Sequence, residues 1–256
     1  MDILGYSELS SQAHKSGNDQ ELLRSVHAAL SSGREWLEDG SPSSTRPHFG
    51  SKDHYALKAF TDNIVVAWPV RSNAESELGN AFFKLGFFQF QMVLAGYFVR
   101  GAIALNDAYV DEIAVFGPAL FEAYEGESVF ARDPRIVLTP SAVVATRKHV
   151  GYYTDPRSAP QVRNVLQDVD GHWFVNYLEC ILWAEDEHGP FLDELLSHKT
   201  VVEGKLTQYK DRPSIWAKYA WVAMYHNYFC DLHAHHFGDA HKIDVNSYVA
   251  GPSLIA

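Results

Sequence analysis

Two acidic residues stand at chain reversals beside runs of β-forming residues. Asp2, in Met1-Asp2-Ile3-Leu4-Gly5-Tyr6-Ser7-Glu8, sits in a short apolar run that Gly5 breaks into a turn leading to a helix. A helix start carries backbone N–H groups without intrahelical partners, and these can hold a phosphate. Asp62, in Lys58-Ala59-Phe60-Thr61-Asp62-Asn63-Ile64-Val65-Val66, lies between two apolar stretches, where Asp-Asn suits a hairpin tip. A third segment is Val99-Arg100-Gly101-Ala102-Ile103-Ala104, followed by Phe116-Gly117-Pro118-Ala119-Leu120, a strand and then a helix start with Pro in the first turn. Carboxylates beside a phosphate-holding turn are the residue types that metal-assisted phosphate chemistry uses. Each Asp alone is common at such places. A second group, His226, Asp231, His233, His235, His236, Asp239 and His241, could serve a metal-dependent hydrolase, but no HExxH or tetrahedral Cys/His spacing is present. The other reading of that group is a solvated helix end, or packing with Tyr225, Tyr228 and Phe229. There is no Gly-x-Ser-x-Gly and no Walker loop, so serine-hydrolase and P-loop chemistry have no support.

The elements that must position these residues can be read along the chain. Asp2 to Leu4 is a short strand, and Asn18-Asp19 opens a helix with Leu22, Leu23, Val26 and Leu30 on one face. Tyr55 to Val70 alternates as a hairpin closed by Pro69. Glu75 to Tyr97 is a long helix, Val99 to Leu105 a strand, Glu112 to Phe116 another, and Ile136 to Thr139 a further strand ended by Pro140. This order predicts an α+β fold around an antiparallel sheet, over residues 1–140. Residues 141–256 read as a mostly helical extension.

Composition narrows the function classes. The chain has 256 residues, of which 46% are hydrophobic, enough for one well-buried domain or one with a large appendage. A net charge of −11 with no basic tract speaks against a nucleic-acid surface, and makes divalent metal necessary for any nucleotide triphosphate. Ala81 to Val99, the most apolar stretch, holds Lys84, Gln89 and Gln91 and reads as a buried helix rather than a membrane span. Two cysteines, and an opening without a basic region followed by an apolar core, predict a cytoplasmic protein.

Across roughly Asp2 to Ile136 the three segments resemble, in order and spacing, the catalytic domain of class III adenylate and guanylate cyclases. The resemblance implies a cyclase-like fold in which Asp2 and Asp62 bridge two Mn2+ or Mg2+ ions. The Ile3 carbonyl adds a ligand, and Leu4, Gly5 and Tyr6 offer N–H groups to the triphosphate. The ribose 3′-hydroxyl attacks the α-phosphorus and diphosphate leaves. It also implies a head-to-tail homodimer with two equivalent sites.

The departures from purine cyclases are specific. Ala114 stands at a base-reading position, and Phe121 and Glu125 stand where the crossing helix carries an Asn and an Arg. The pattern is more similar to the Pycsar pyrimidine cyclases of bacterial anti-phage defence. The shared stretches are Thr61 to Ile64, Arg100 to Leu105, Phe116 to Glu125, Asp170 to Phe174, Lys218 to Trp221 and Tyr225-His226-Asn227. That resemblance implies UTP as substrate, cyclic UMP as product and a separate effector that senses it. CTP is the alternative base, and a non-catalytic nucleotide-binding domain the alternative role. Lys58 occupies the family's base-reading position. Tyr55 nearby either contacts a pyrimidine ring or serves only as a strand aromatic. For the missing Arg, the candidates are Arg100, Arg132 and Arg135. Arg100 also has a structural reading.

Overall fold

The computed structural model describes residues 1–39, 56–60, 63–70, 72–110, 114–183 and 189–248. The chain forms two compact units, Met1–Cys180 and Ile181–Ala256.

In the first unit, β1 (Asp2–Ile3) turns at Gly5 into α1 (Tyr6–Ser16), and α2 (Asp19–Asp39) follows. The hairpin β2 (Ala56–Phe60) and β3 (Asn63–Ala67) comes next, then α3 (Glu75–Leu94) and β4 (Val99–Ile103). These strands lie side by side in the order β2-β3-β1-β4, every pair antiparallel. With its helices the segment is a split β-α-β-β-α-β unit.

Both helices follow from the apolar spacing. On α2 the buried hydrophobic side chains are Val26, Ala29 and Leu37, with Leu22 and Leu30 half-buried against the same core. Leu23 is exposed instead, because one residue along a helix is a rotation of about 100° away from the stripe. Helix α3 is apolar nearly all round, as a helix buried among other elements must be. Its one buried lysine, Lys84, donates to the Leu37 carbonyl at 2.9 Å near the end of α2. Among the described residues no helix is long and apolar enough to cross a membrane.

Past β4 the fold departs from the expected antiparallel sheet. The hairpin β5 (Tyr109–Val110) and β6 (Val115–Phe116) stands apart from the main sheet, stacking Tyr109 on Phe116. Helix α4 (Pro118–Glu125) and a π-helical turn, Gly126–Phe130, lead to β7 (Ile136–Leu138). β7 pairs with β4 in parallel, since the crossover through α4 returns the chain to the end where β4 began. The sheet is therefore mixed.

It also extends beyond residue 140. After α5 (Pro140–Val150) and the single turn α6 (Gln161–Asn164), β8 (Val165–Gln167) and β9 (Trp173–Val175) form a hairpin whose inner strand pairs with β7. The sheet has seven strands in the order β2-β3-β1-β4-β7-β9-β8. The first compact unit thus ends at Cys180, beyond the boundary expected at residue 140. Each of these two strands is three residues long, too short for an alternation to register against the helical pattern around it.

The second unit is helical, as expected for that part of the chain. α7 (Leu192–Gln208) packs on α8 (Pro213–Leu232), burying Leu195, Val202 and Leu206 on the first and Val222, Ala223 and Phe229 on the second.

Candidate functional site

β1 is the centre of the candidate site. Met1 and Ile64 exchange both main-chain hydrogen bonds, and Leu4 N–H donates to the Phe98 carbonyl at 2.7 Å. The alternation of an antiparallel ladder therefore turns the main chain of Ile3 toward β3 and that of Asp2 toward β4. Asp2 is paired across β3 with Asn63 and across β4 with Arg100. Asp62 and Tyr55 lie outside the described residues. The chain neighbour of Asp62, Asn63, is the residue opposite Asp2. Lys58 lies on β2, opposite Val65, at the outer edge of the sheet.

The three expected phosphate donors divide. The Leu4 N–H donates to the Phe98 carbonyl, because β1 is still paired at that residue. Gly5 takes a left-handed conformation, φ 74°, and accepts from Glu8 and Leu9 as α1 begins. Gly5 and Tyr6 donate to no main-chain carbonyl among the described residues. The Tyr6 ring meanwhile packs against the core, which fixes the direction of α1.

Asp2 and Arg100 share the face of the sheet opposite the one that buries Ile3 and Val99. Arg100 Nε lies 3.1 Å from Asp2 Oδ2, and Arg100 Nη2 lies 3.2 Å from Glu127 Oε1. One guanidinium thus spans two carboxylates. Both partners are largely shielded, with side-chain exposures of 16% for Asp2 and 10% for Glu127. Glu127 reaches this position through the π-helical turn. A Cβ on Gly126 would lie 2.7 Å from Ala102 Cβ and 2.9 Å from Thr139 Cγ2, so only glycine lets the turn approach β4 and β7 this closely. Glu127 was not legible in the sequence, where it is one acid after a helix. The π-helical turn that aims it inward carries no compositional mark.

The other arginines separate by environment. Arg135 is fully buried. Its guanidinium pairs with Asp168 and Asp170 in the β8–β9 turn and donates to the Phe130 carbonyl at 3.3 Å. It is a structural residue, and this corrects its candidacy for a developing phosphate charge. Arg132 is exposed. Phe121 and Glu125 lie one turn apart on the solvent face of α4, which also exposes Tyr124.

A cavity of about 220 Å³ opens on this region, between β3, β4, α3 and α4. Val66, Trp68, Leu78, Leu120 and Tyr124 line it, with Glu127 at one side. It is smaller than the roughly 300–1,000 Å³ of a typical ligand pocket.

The histidine-rich segment of the second unit is built differently from a metal centre. His226 is buried, and its Nδ1 lies 3.0 Å from Nδ1 of the buried His198 on α7. His226 Nε2 lies 2.9 Å from the His241 carbonyl, so Nε2 carries the proton and donates. His226 Nδ1 then accepts, and His198 Nδ1–H is the donor. Burial pushes the His226 pKa down to about 4, and burial together with the His226 ring pushes His198 well below the ordinary imidazole value. Among the described residues no three His, Cys, Asp or Glu side chains converge as metal ligands. His198 escaped the sequence reading because nothing in Ser197-His198-Lys199 separates it from a surface residue.

The chain matches no protein-family model, no characterised protein and no solved structure.

Proposed function

We propose that this chain is a pyrimidine nucleotide cyclase, converting UTP to 3′,5′-cyclic UMP and diphosphate for a separate cyclic-nucleotide-sensing effector of anti-phage defence. The observation that carries the reading is the register of β1. Asp2 stands opposite Asn63, so the strand bearing one expected carboxylate lies against the residue that follows the other, Asp62. Sixty residues of sequence separate the two segments, and only the sheet brings them together.

The donor chemistry around Asp2 fits a hard divalent cation. A carboxylate and the Ile3 carbonyl are oxygen ligands of the kind Mn2+ and Mg2+ prefer, and Arg100 already stands in as positive charge on Asp2. Asp2, Asp62 and the Ile3 carbonyl would hold two ions. When bound, these ions would make the ribose 3′-hydroxyl a better nucleophile and offset the charge of the leaving diphosphate. Gly5 and Tyr6 would direct N–H groups at the phosphates from the start of α1. Arg100 would neutralise charge that develops on the α-phosphoryl oxygens. The O3′–P bond forms as the bond from the α-phosphorus to the bridging oxygen breaks, and the hydroxyl proton passes to water. Lys58 and Tyr55 are the residues assigned to the base, with CTP as the alternative substrate.

Two chains would complete each site. The cavity beside Glu127, about 220 Å³, is small against the roughly 300–1,000 Å³ of a typical ligand pocket, which supports a site shared between chains. Phe121 and Tyr124 of α4 and Tyr109 and Phe116 of β5–β6 expose apolar rings that a second copy would cover. The purified protein, incubated with Mn2+ and each of the four nucleoside triphosphates, should yield cyclic UMP on chromatography. Cyclic CMP instead would reassign the base. No cyclic product from folded, dimeric protein would refute the enzyme.

The second reading is a domain that binds a nucleotide without turnover. Two observations favour it: Arg100 rests on Asp2, and Phe98 takes the Leu4 N–H. Triphosphate binding that depends on Asp2, without any product, would establish it.

A further inference from the structure

We infer that Glu127 is a positioning residue that draws Arg100 away from Asp2 and so opens that carboxylate to a divalent cation. The inference rests on the cyclase reading above, and it assigns a role to a residue which that reading leaves without one.

Arg100 is held at two ends, by Asp2 through Nε and by Glu127 through Nη2. Two anions therefore share this guanidinium in a largely shielded place, with the buried Met1 ammonium as a further positive charge close to both. For Asp2 to hold a divalent cation, Arg100 would have to give up its bond to Asp2 Oδ2. Glu127 is the anion that receives it. Only 7% exposed, Glu127 is itself too buried to remain without a positive partner. Each carboxylate thus has a cation in both states. Without metal, Arg100 bridges the two acids; with metal, Arg100 belongs to Glu127 and the ion to Asp2. Gly126 makes the exchange local, because its contact with Ala102 and Thr139 sets the π-helical turn against the sheet. With a neutral residue at 127, Arg100 would lose its second described carboxylate and rest on Asp2, where the guanidinium would compete with the ion.

Mn2+ binding, followed by loss of the EPR signal of the free ion, tests this on the full chain with no nucleotide present. Four proteins are compared with wild type: Asp2→Asn, Glu127→Gln, Arg100→Met, and the Glu127→Gln/Arg100→Met double variant. Gln can still accept from Arg100, and the double variant removes one charge of each sign, so both should stay folded by circular dichroism. The expectation is Mn2+ binding that Asp2→Asn abolishes and that Glu127→Gln weakens about tenfold. The double variant should recover wild-type affinity, since the competing guanidinium is gone. Wild-type affinity in Glu127→Gln overturns the inference while leaving the cyclase reading intact. Equal weakening in the single and double variants also overturns it, because the glutamate would then act only through its charge. Absence of Asp2-dependent Mn2+ binding in wild type overturns the cyclase reading and this inference with it.

Discussion

The buried histidine pair makes the second unit sensitive to mild acid, and the size of the effect can be worked out. His226 titrates near 4 in the folded chain against about 6.5 for a free imidazole. The folded state then binds fewer protons than the unfolded state. Stability is therefore complete above pH 6.5 and is lost as pH falls from there toward the folded value. Lowering the pH from 7.5 to 5.5 should cost on the order of 1 kcal/mol through His226 alone, and the full interval on the order of 3 kcal/mol. His198 shifts in the same direction and adds to the loss. The window from 7.5 to 5.5 lies above the ordinary carboxylate range, so acidic residues contribute little there. Urea unfolding at the two pH values measures the difference. In the His198→Asn/His226→Gln variant, the amides can replace the donor of His198 Nδ1 and the donor of His226 Nε2 without titrating. The pH-dependent loss should shrink by at least the His226 share. The same loss in this variant and in wild type would refute the assignment of two neutral, hydrogen-bonded imidazoles.

Other outcomes follow from the first unit. Asp62→Asn and Asp2→Asn should each abolish cyclic-nucleotide formation in the chromatographic assay while leaving the far-UV circular dichroism unchanged. Gly126→Ala should cost about 1–3 kcal/mol in urea unfolding, because the new methyl meets Ala102 and Thr139 at 2.7 and 2.9 Å. Arg135→Met should cost roughly 1–3 kcal/mol by the same measurement, since it removes the cation that Asp168 and Asp170 share. Arg132→Met, at an exposed position, should change stability by no more than about 0.5 kcal/mol.

Elements that are long or sharply punctuated are legible in the residues alone. α2 and α3 announce themselves by apolar residues at helical spacing, the β2–β3 hairpin by apolar runs on either side of Asp62-Asn63, and the turn after β1 by Gly5. These are local signals, and each residue's own conformational preference agrees with the fold. The candidate site was legible to the extent that it sits on such elements: Asp2 and Arg100 were both singled out, and the sheet sets them opposite each other. Other features depend on partners distant in sequence and follow from the assembled fold. The parallel pairing of β4 with β7 and the addition of β8 and β9 are choices of neighbour, which three-residue strands do not encode. The same holds for charge. Arg100 and Arg135 are alike as letters, yet one bridges Asp2 and Glu127 while the other is sealed against Asp168 and Asp170. The Leu4 N–H, expected to face a phosphate, is taken because Phe98 happens to pair beside it. A hydrogen bond or an ion pair is made with whatever the fold brings within about 3 Å, and that distance is set by packing across the whole unit rather than by any stretch of chain.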